Sequence, residues 1–489
     1  MNDYNPAITG ILRTFARTTP DKTALIIGEE EVSYARLYRL ITGAARFLQG
    51  RGIKEGSHVL SEACPCLPFI VYEYAVLGLG AVHIPTENRA PGGRLGEIAR
   101  AVDADLVISH EKPTAETEWL SLAELPLEEE EDPDWIPAPV SDACSEIIFT
   151  TGTTGRSKGV MLSPRCLEVY LAALNPSFGI RPESVFLVTT PLNHVGGMHR
   201  IHQCFSVGCT AVLMEGIRNL KGFFDAIYRH GVTHTYLPPA SVKMLITLAK
   251  KEVAALDSRL EFIYTASAPF PTKDMETFIS LLPHVRLHQG YGSSETGSIS
   301  NCRYNAPGKT ISSLGKPYDC VEVVLEDEEG NLITEAGRPG FIRSRSGMNM
   351  LGYYKEPELT AQTLKDGFIY SKDLLYFDEE GELHFAGRGD DVINIRGFKV
   401  APPEVEEAAL QFPKLEECVC VPFEDKALGR VMKMVVVMKE GEVFDREEIT
   451  AFLAENLEDY KLPRILEQLD AIPRTFNGKI DRRKLMEEG

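Results

Sequence analysis

The chain has 489 residues, 44% apolar and 25% charged, which is ordinary globular composition and argues against disorder. Acidic residues number 71 against 51 basic, and the net charge of −20 argues against nucleic acid, where phosphate contacts supply most of the affinity. An anionic small ligand stays compatible, because a local nest of backbone amides can bind phosphate on an acidic protein.

The length allows about three domain-sized units. The N-terminal stretch MNDYNPAITGILRTFARTTPDK lacks a basic flank followed by an apolar run, so no signal peptide is expected. No stretch approaches the roughly 20 apolar residues that span a bilayer. A cytoplasmic chain is expected. Its ten cysteines include Cys64/Cys66 and Cys418/Cys420, but C-x-C without paired histidines is not a zinc knuckle. Reduced, buried, structural thiols are expected.

In chain order, helices alternate with short apolar strands. A helix ends before Gly52 and a strand runs to Leu60; Ile70 to Leu79 reads as helix and Ala81 to Pro85 as buried strand. Leu106 to Ile108, Glu146 to Thr150, Val185 to Thr190, Thr210 to Met214 and Thr233 to Leu237 read as further strands. That alternation favours parallel sheets covered on both faces. The acidic, proline-rich segment Leu127 to Pro139 reads as a solvated connector. From Val321 to Gly387 the pattern turns to hairpins, with turn signals at Glu329-Gly330 and Glu380-Gly381. The last hundred residues read as a small mixed unit with two helices, in which Cys418 and Cys420 alternate with Val419 and face one way.

The chemistry begins at Thr150-Thr151-Gly152-Thr153-Thr154-Gly155-Arg156-Ser157-Lys158-Gly159, directly after the strand Ile147-Ile148-Phe149. Small residues let backbone N–H groups approach a triphosphate, hydroxyls donate to it, and Lys158 adds charge. It is not a Walker loop, because Lys158 precedes Gly159 instead of following a glycine and preceding Ser or Thr. Taken alone, such a stretch is most often a surface turn.

The loop resembles the phosphate-binding signature of the acyl-adenylate-forming superfamily: acyl-CoA synthetases, peptide-synthetase adenylation domains and beetle luciferases. Further segments resemble that family in its order. Pro191 to Gly197 is similar to the acid-pocket segment, Thr265 to Pro269 to the adenine-side turn, and Gln289 to Glu295 to the motif with an adenine-stacking tyrosine and a magnesium-holding glutamate. Gly352-Tyr353-Tyr354, Asp373, Gly387-Arg388, Gly397-Phe398-Lys399 and Asn477-Gly478-Lys479 follow.

The resemblance implies ATP, Mg2+ and coenzyme A as cofactors and co-substrates. It assigns the nucleotide to Thr150, Thr151, Gly152, Thr153, Thr154, Gly155, Lys158, Ser267, Ala268, Pro269, Gly290, Tyr291, Gly292, Ser294, Asp373 and Arg388. It assigns the metal to Glu295 and Thr151, and the acid pocket to His194, Val195, Gly196, Gly197, Gly292 and Ser293. A hinge falls at Asp390, and Gly397, Phe398 and Lys399 line the thiol tunnel. Lys479, Glu295 and His194 carry catalysis, with Lys479 touching both the carboxylate and the α-phosphate. An ionised acid has no proton to remove, so positioning and electrostatics are expected to dominate.

Three positions depart from the commoner pattern: Ser157 for a proline, Ser294 for a threonine, and Ser371-Lys372 before Asp373 for Thr-Gly. Amino-acid-activating members carry an aspartate after the position of His194; Val195 stands there, which argues against an α-amino acid. Small apolar walls suit an aryl or alkyl carboxylate. Since the chain ends soon after Leu485 without a carrier domain, CoA is the expected acceptor. The alternatives are a stand-alone enzyme loading a carrier protein, a luciferase-like oxygenase, and a nucleotide-binding pseudoenzyme. The implied architecture is α/β: residues 1–389 with two α/β sheets plus a distorted β-barrel, and a small mobile α+β domain over 390–489.

Overall fold

Short runs such as Val185–Val188, Thr210–Leu213 and Phe262–Thr265 are apolar at nearly every position, which suits parallel strands covered on both faces. The computed structural model describes residues 5–487 apart from 133, 152–156, 269, 390–392, 396–397, 426–428 and 475–479. Those strands lie in an eight-stranded sheet, flanked by His234–Tyr236, Arg286–Ser293 and Thr23–Ile27, and edged by the antiparallel strands Gly297–Arg303 and Glu30–Ser33.

A second, seven-stranded sheet runs Gly352–Tyr353, Ser157–Leu162, Glu146–Thr151, Val82–Thr86, His58–Glu62, Leu106–Ser109 and Glu118–Ser121. Pro85 has no N–H to donate, and the ladder between Val82–Thr86 and Glu146–Thr151 is held at one register pair, His83 opposite Glu146. The two sheets share a core through facing helices. Leu67–Gly78 and Val195–Val207 meet where the Tyr74 and Phe205 rings lie 5.1 Å apart.

The hairpin region forms a six-stranded antiparallel sheet, with Phe368–Phe377 and Leu383–Arg388 at its centre. Its edge strand Ser313–Gly315 lies against the large sheet so closely that a Cβ on Gly315 would sit 2.5 Å from the Asn301 carbonyl. Beyond it, Leu415–Asp425, Gly429–Met438 and Ile465–Gln468 make a three-stranded sheet with helices Pro402–Leu410 and Arg446–Asn456. The architecture is the α/β arrangement expected, a large N-terminal region followed by a small α+β one. Cys418 and Cys420 face one cluster, Val419 and Val421 the other.

Two expectations are refined. The acidic segment after Leu127 is the exposed connector expected, but it is pinned to the helix Tyr34–Gly50: Glu129 pairs with Arg36 and Arg39, Asp132 with Arg46, and Trp135 stacks on Tyr38. Its backbone lies so close that a Cβ on Gly43 would meet the Glu128 carbonyl at 2.1 Å. The cysteines are free, but Cys320 is exposed and Cys64, Cys66 and Cys144 are only half-buried.

His234 and His288 are embedded in the eight-stranded sheet, and burial lowers each from the ordinary 6.5 to about 4. The unfolded chain therefore binds protons that the fold refuses between these values, and stability falls as pH drops from 6.5 towards 4. Replacing His288 with Gln is expected to flatten that limb by on the order of 1–3 kcal/mol, measured as urea-unfolding free energy against pH.

Candidate active site

Two strands of different sheets bring the expected nucleotide residues together. Asp373 and Arg388 are register partners in the antiparallel pair Phe368–Phe377/Leu383–Arg388, and the Arg388 Nε lies 3.5 Å from Asp373 Oδ1. Tyr291, on the eight-stranded sheet, donates its hydroxyl to Asp373 Oδ2 at 2.8 Å. Burial first, then the Asp373 charge, pushes the Tyr291 phenol well up, so it stays a donor. Ser371, one of the departing residues, receives the Asp373 backbone N–H at 3.1 Å.

The hairpin after Tyr291 bends at a register shift between Tyr291 and Gly292, a bulge of the kind that re-aims neighbouring side chains. Gly292 is obligatory there, since a Cβ would lie 2.1 Å from the Gly297 carbonyl. Gly290 is equally constrained, with the Tyr264 hydroxyl 1.7 Å from where its Cβ would stand. Ser293 and Thr296 tie the turn by reciprocal bonds of 3.0 and 3.3 Å between side-chain oxygens and backbone N–H groups. The turn presents Glu295, whose Oε1 accepts the Tyr353 hydroxyl at 2.9 Å and whose carbonyl accepts Met350 N–H.

Tyr353 links this turn to the phosphate-loop strand. Gly352–Tyr353 pairs with Val160 and Met161, and Lys158 Nζ sits 5.4 Å from the centroid of the Tyr353 ring. Thr150 Oγ1 donates to the Lys158 carbonyl at 3.5 Å. The Tyr353 hydroxyl occupies only one lone pair of Oε1, and carboxylate oxygens such as those of Glu295 fit a hard divalent cation taking oxygen ligands. The sequence reading quoted Tyr353 within a motif but gave it no role; the signal available was a tyrosine pair after a glycine. Tyr353→Phe is expected to cost about 1–2 kcal/mol, roughly tenfold in kcat/KM for ATP, and to raise the magnesium needed for half-maximal rate, with thermal stability nearly unchanged.

The segment expected to form the acid pocket caps a helix. His194 precedes Val195–Val207 and its carbonyl accepts the Gly197 and Met198 N–H groups; a Cβ on Gly197 would meet the Pro191 carbonyl at 2.2 Å. Gly196 faces the Tyr236 ring, and the Tyr236 hydroxyl donates to the Ala266 carbonyl at 3.4 Å, joining this segment to the adenine-side turn. In that turn Ser267 has φ +77°, a conformation costly for a residue with a Cβ and commonest where function requires it. Ala268 is half-buried beside it, and Val195 packs against the cluster containing Ile148 and Tyr353. Ser294 and Val195 border one small cavity with Glu146 and His199.

The sequence reading stopped at Gly197, yet the helix continues with buried His199, Arg200, His202 and Gln203. Arg200 is enclosed by the rings of Phe178, Tyr236, Tyr264 and Tyr170, its guanidinium carbon 5.2–5.9 Å from their centroids. The run Met198-His199-Arg200-Ile201-His202 was legible as polar on a helix, but not as buried. Gly152, Thr153, Thr154, Gly155, Pro269, Asp390, Gly397 and Lys479 lie outside the described residues, as do the side chains of Thr151, Ser157, Phe398 and Lys399.

Residues 12–354 match the family model of the AMP-binding enzyme, and 404–479 that of the AMP-binding enzyme C-terminal domain. The chain belongs to the AMP-binding enzyme family, and it is an AMP-forming ligase of the acyl-CoA ligase class. Among its relatives, a 4-coumarate–CoA ligase-like protein of Oryza sativa subsp. japonica is 29% identical over 97% of this chain and 91% of its own length. A feruloyl-CoA synthase of Amycolatopsis is 28% identical, covering 95% of each chain. The crystal structure of ATP-bound MatB from Rhodopseudomonas palustris superposes with a TM-score of 0.88 at 23% identity, over 98% of both chains, a likeness of fold. Among the described residues no helix is long and apolar enough to cross a membrane.

Proposed function

We propose that this protein joins a carboxylic acid to coenzyme A in two steps, with an acyl-adenylate between them. Oxygen of the carboxylate attacks the α-phosphorus of ATP and pyrophosphate leaves; the CoA thiol, losing its proton, then attacks the acyl carbon and AMP leaves. What supports this reading above all is the meeting of Tyr291, Asp373 and Arg388 beside a Glu295–Tyr353–Lys158 link.

Asp373 is placed to accept ribose hydroxyls, with Arg388 holding its orientation, and Tyr291 offers a ring face to adenine. Glu295, with Thr151, would hold the magnesium that neutralises phosphate charge during attack. Lys158 and the hydroxyl-rich loop would bind the β- and γ-phosphates. Lys479 supplies a cation to the carboxylate and α-phosphate in the first step. Rotation about Asp390 between a domain of residues 1–389 and one of 390–489 then exchanges Lys479 for Gly397, Phe398 and Lys399 along the pantetheine path.

His194, Val195, Gly196 and Gly197 border the acid, and the relatives named for 4-coumarate and ferulate make arylpropenoic acids the first substrates to try. The test is AMP release from Mg-ATP across aryl, bile-type and alkyl acids, with and without CoA. One acid giving AMP and acyl-CoA in equal amounts, only when CoA is present, supports the reading. Adenylate that CoA never accepts points to a carrier protein, and ATP binding without AMP formation from any acid points to a pseudoenzyme.

A further inference from the structure

Four ionisable side chains converge inside the N-terminal region. Glu73 comes from the helix Leu67–Gly78, His83 from the strand Val82–Thr86, Glu146 from the next strand, and His202 from the helix Val195–Val207. Each side chain is at most 2% exposed. His83 Nδ1 lies 3.8 Å from Glu73 Oε1, while His202 Nε2 lies 3.9 Å from that oxygen and 3.8 Å from Glu146 Oε1. The ligand atoms of Glu73, His83 and Glu146 all fall within 4.8 Å of one another.

None of the four facing atoms has a hydrogen-bond partner, and neither does the second oxygen of Glu73. Buried polar atoms almost always have one. The outward nitrogens, by contrast, are held: His83 Nε2 lies 2.6 Å from the Ser61 hydroxyl, and His202 Nδ1 lies 2.7 Å from the Tyr74 hydroxyl. A metal-ligating histidine is oriented in just this manner, through its other ring nitrogen. Two acidic side chains enclosed together without a cation are a liability in this core.

We propose that Glu73, His83, Glu146 and His202 bind one divalent first-row cation, with zinc the best match. Two imidazole nitrogens and two carboxylate oxygens form a set zinc accepts, and its +2 charge cancels both carboxylates. Tetrahedral Zn–N and Zn–O bonds of about 2.0–2.2 Å put ligand atoms roughly 3.3–3.6 Å apart, so the three separations of 3.8–3.9 Å need contract by a few tenths of an ångström and the wider ones, up to 4.8 Å among Glu73, His83 and Glu146, by about 1 Å. Four protein ligands close the shell, which defines a structural site. Three ligands belong to the seven-stranded sheet and its covering helix, and the fourth to the helix under the eight-stranded sheet, so the ion ties the two layers together. With every ligand buried, the ion enters as the chain folds.

The experiment is metal analysis of protein produced in zinc-supplemented medium and passed over chelating resin, with X-ray absorption at the zinc edge. About one zinc per chain, with four nitrogen or oxygen neighbours near 2.0 Å and no sulfur, is expected. His83→Gln and His202→Gln should each drop the zinc content at least tenfold. Metal-free wild-type protein, sulfur neighbours, or undiminished zinc in a folded His202→Gln variant would each overturn the proposal. If both variants fail to fold, the wild-type metal content and absorption spectrum decide it.

Discussion

Lys479→Ala is expected to lose on the order of 3 kcal/mol or more of transition-state stabilisation in adenylate formation, a fall of at least a hundredfold. The step brings a carboxylate and a polyphosphate together without any proton to transfer, so a cation placed at the forming bond acts only while that bond forms. Acid-dependent exchange of labelled pyrophosphate into ATP measures this half-reaction by itself. The reverse expectation holds for the second step: chemically prepared acyl-adenylate should still be converted to thioester at near the wild-type rate, because in the proposed mechanism thioester formation uses the other orientation of the C-terminal unit. Normal pyrophosphate exchange in the variant would remove Lys479 from the mechanism.

Gly292→Ala should rank next. Its Cβ would stand 2.1 Å from the Gly297 carbonyl and 2.9 Å from the Ser298 Cα, both backbone atoms of the paired strand. Neither can swing aside as a flexible side chain would, so the hairpin must open. The overpacking costs about 1–3 kcal/mol of stability, and the displaced turn carries Glu295 with it. We expect kcat to fall by roughly a hundredfold, since displacing a catalytic group by about 1 Å is sufficient for that. Melting temperature and acid-dependent AMP release are the paired measurements. A variant as active as wild type would mean that the turn carrying Glu295 is not part of the active site.

The motifs from Thr150 to Lys479 were legible because nucleotide chemistry demands particular residue types in short, contiguous stretches. The parallel strands were legible for a related reason, since burial on both faces leaves continuous apolar runs. The pinning of the connector after Leu127 was not: its acids pair with Arg36, Arg39 and Arg46 about ninety positions earlier, and isolated acids read the same whether solvated or paired. Tyr353 also escaped assignment, because its meaning lies in a bond to Glu295 fifty-eight residues away in sequence.

By itself the sequence determined the class of chemistry, the alternation of strands and helices, and the candidate residues for nucleotide, acid and metal, because each is written in local composition. Only the tertiary structure decided which of these meet: Tyr291 with Asp373 across two sheets, Glu295 with Lys158 through Tyr353, and Glu73 and Glu146 with two histidines in a closed core. Such meetings depend on strand register and on helices packing across layers, and long-range geometry of that kind leaves no periodicity in the chain for a reader to find.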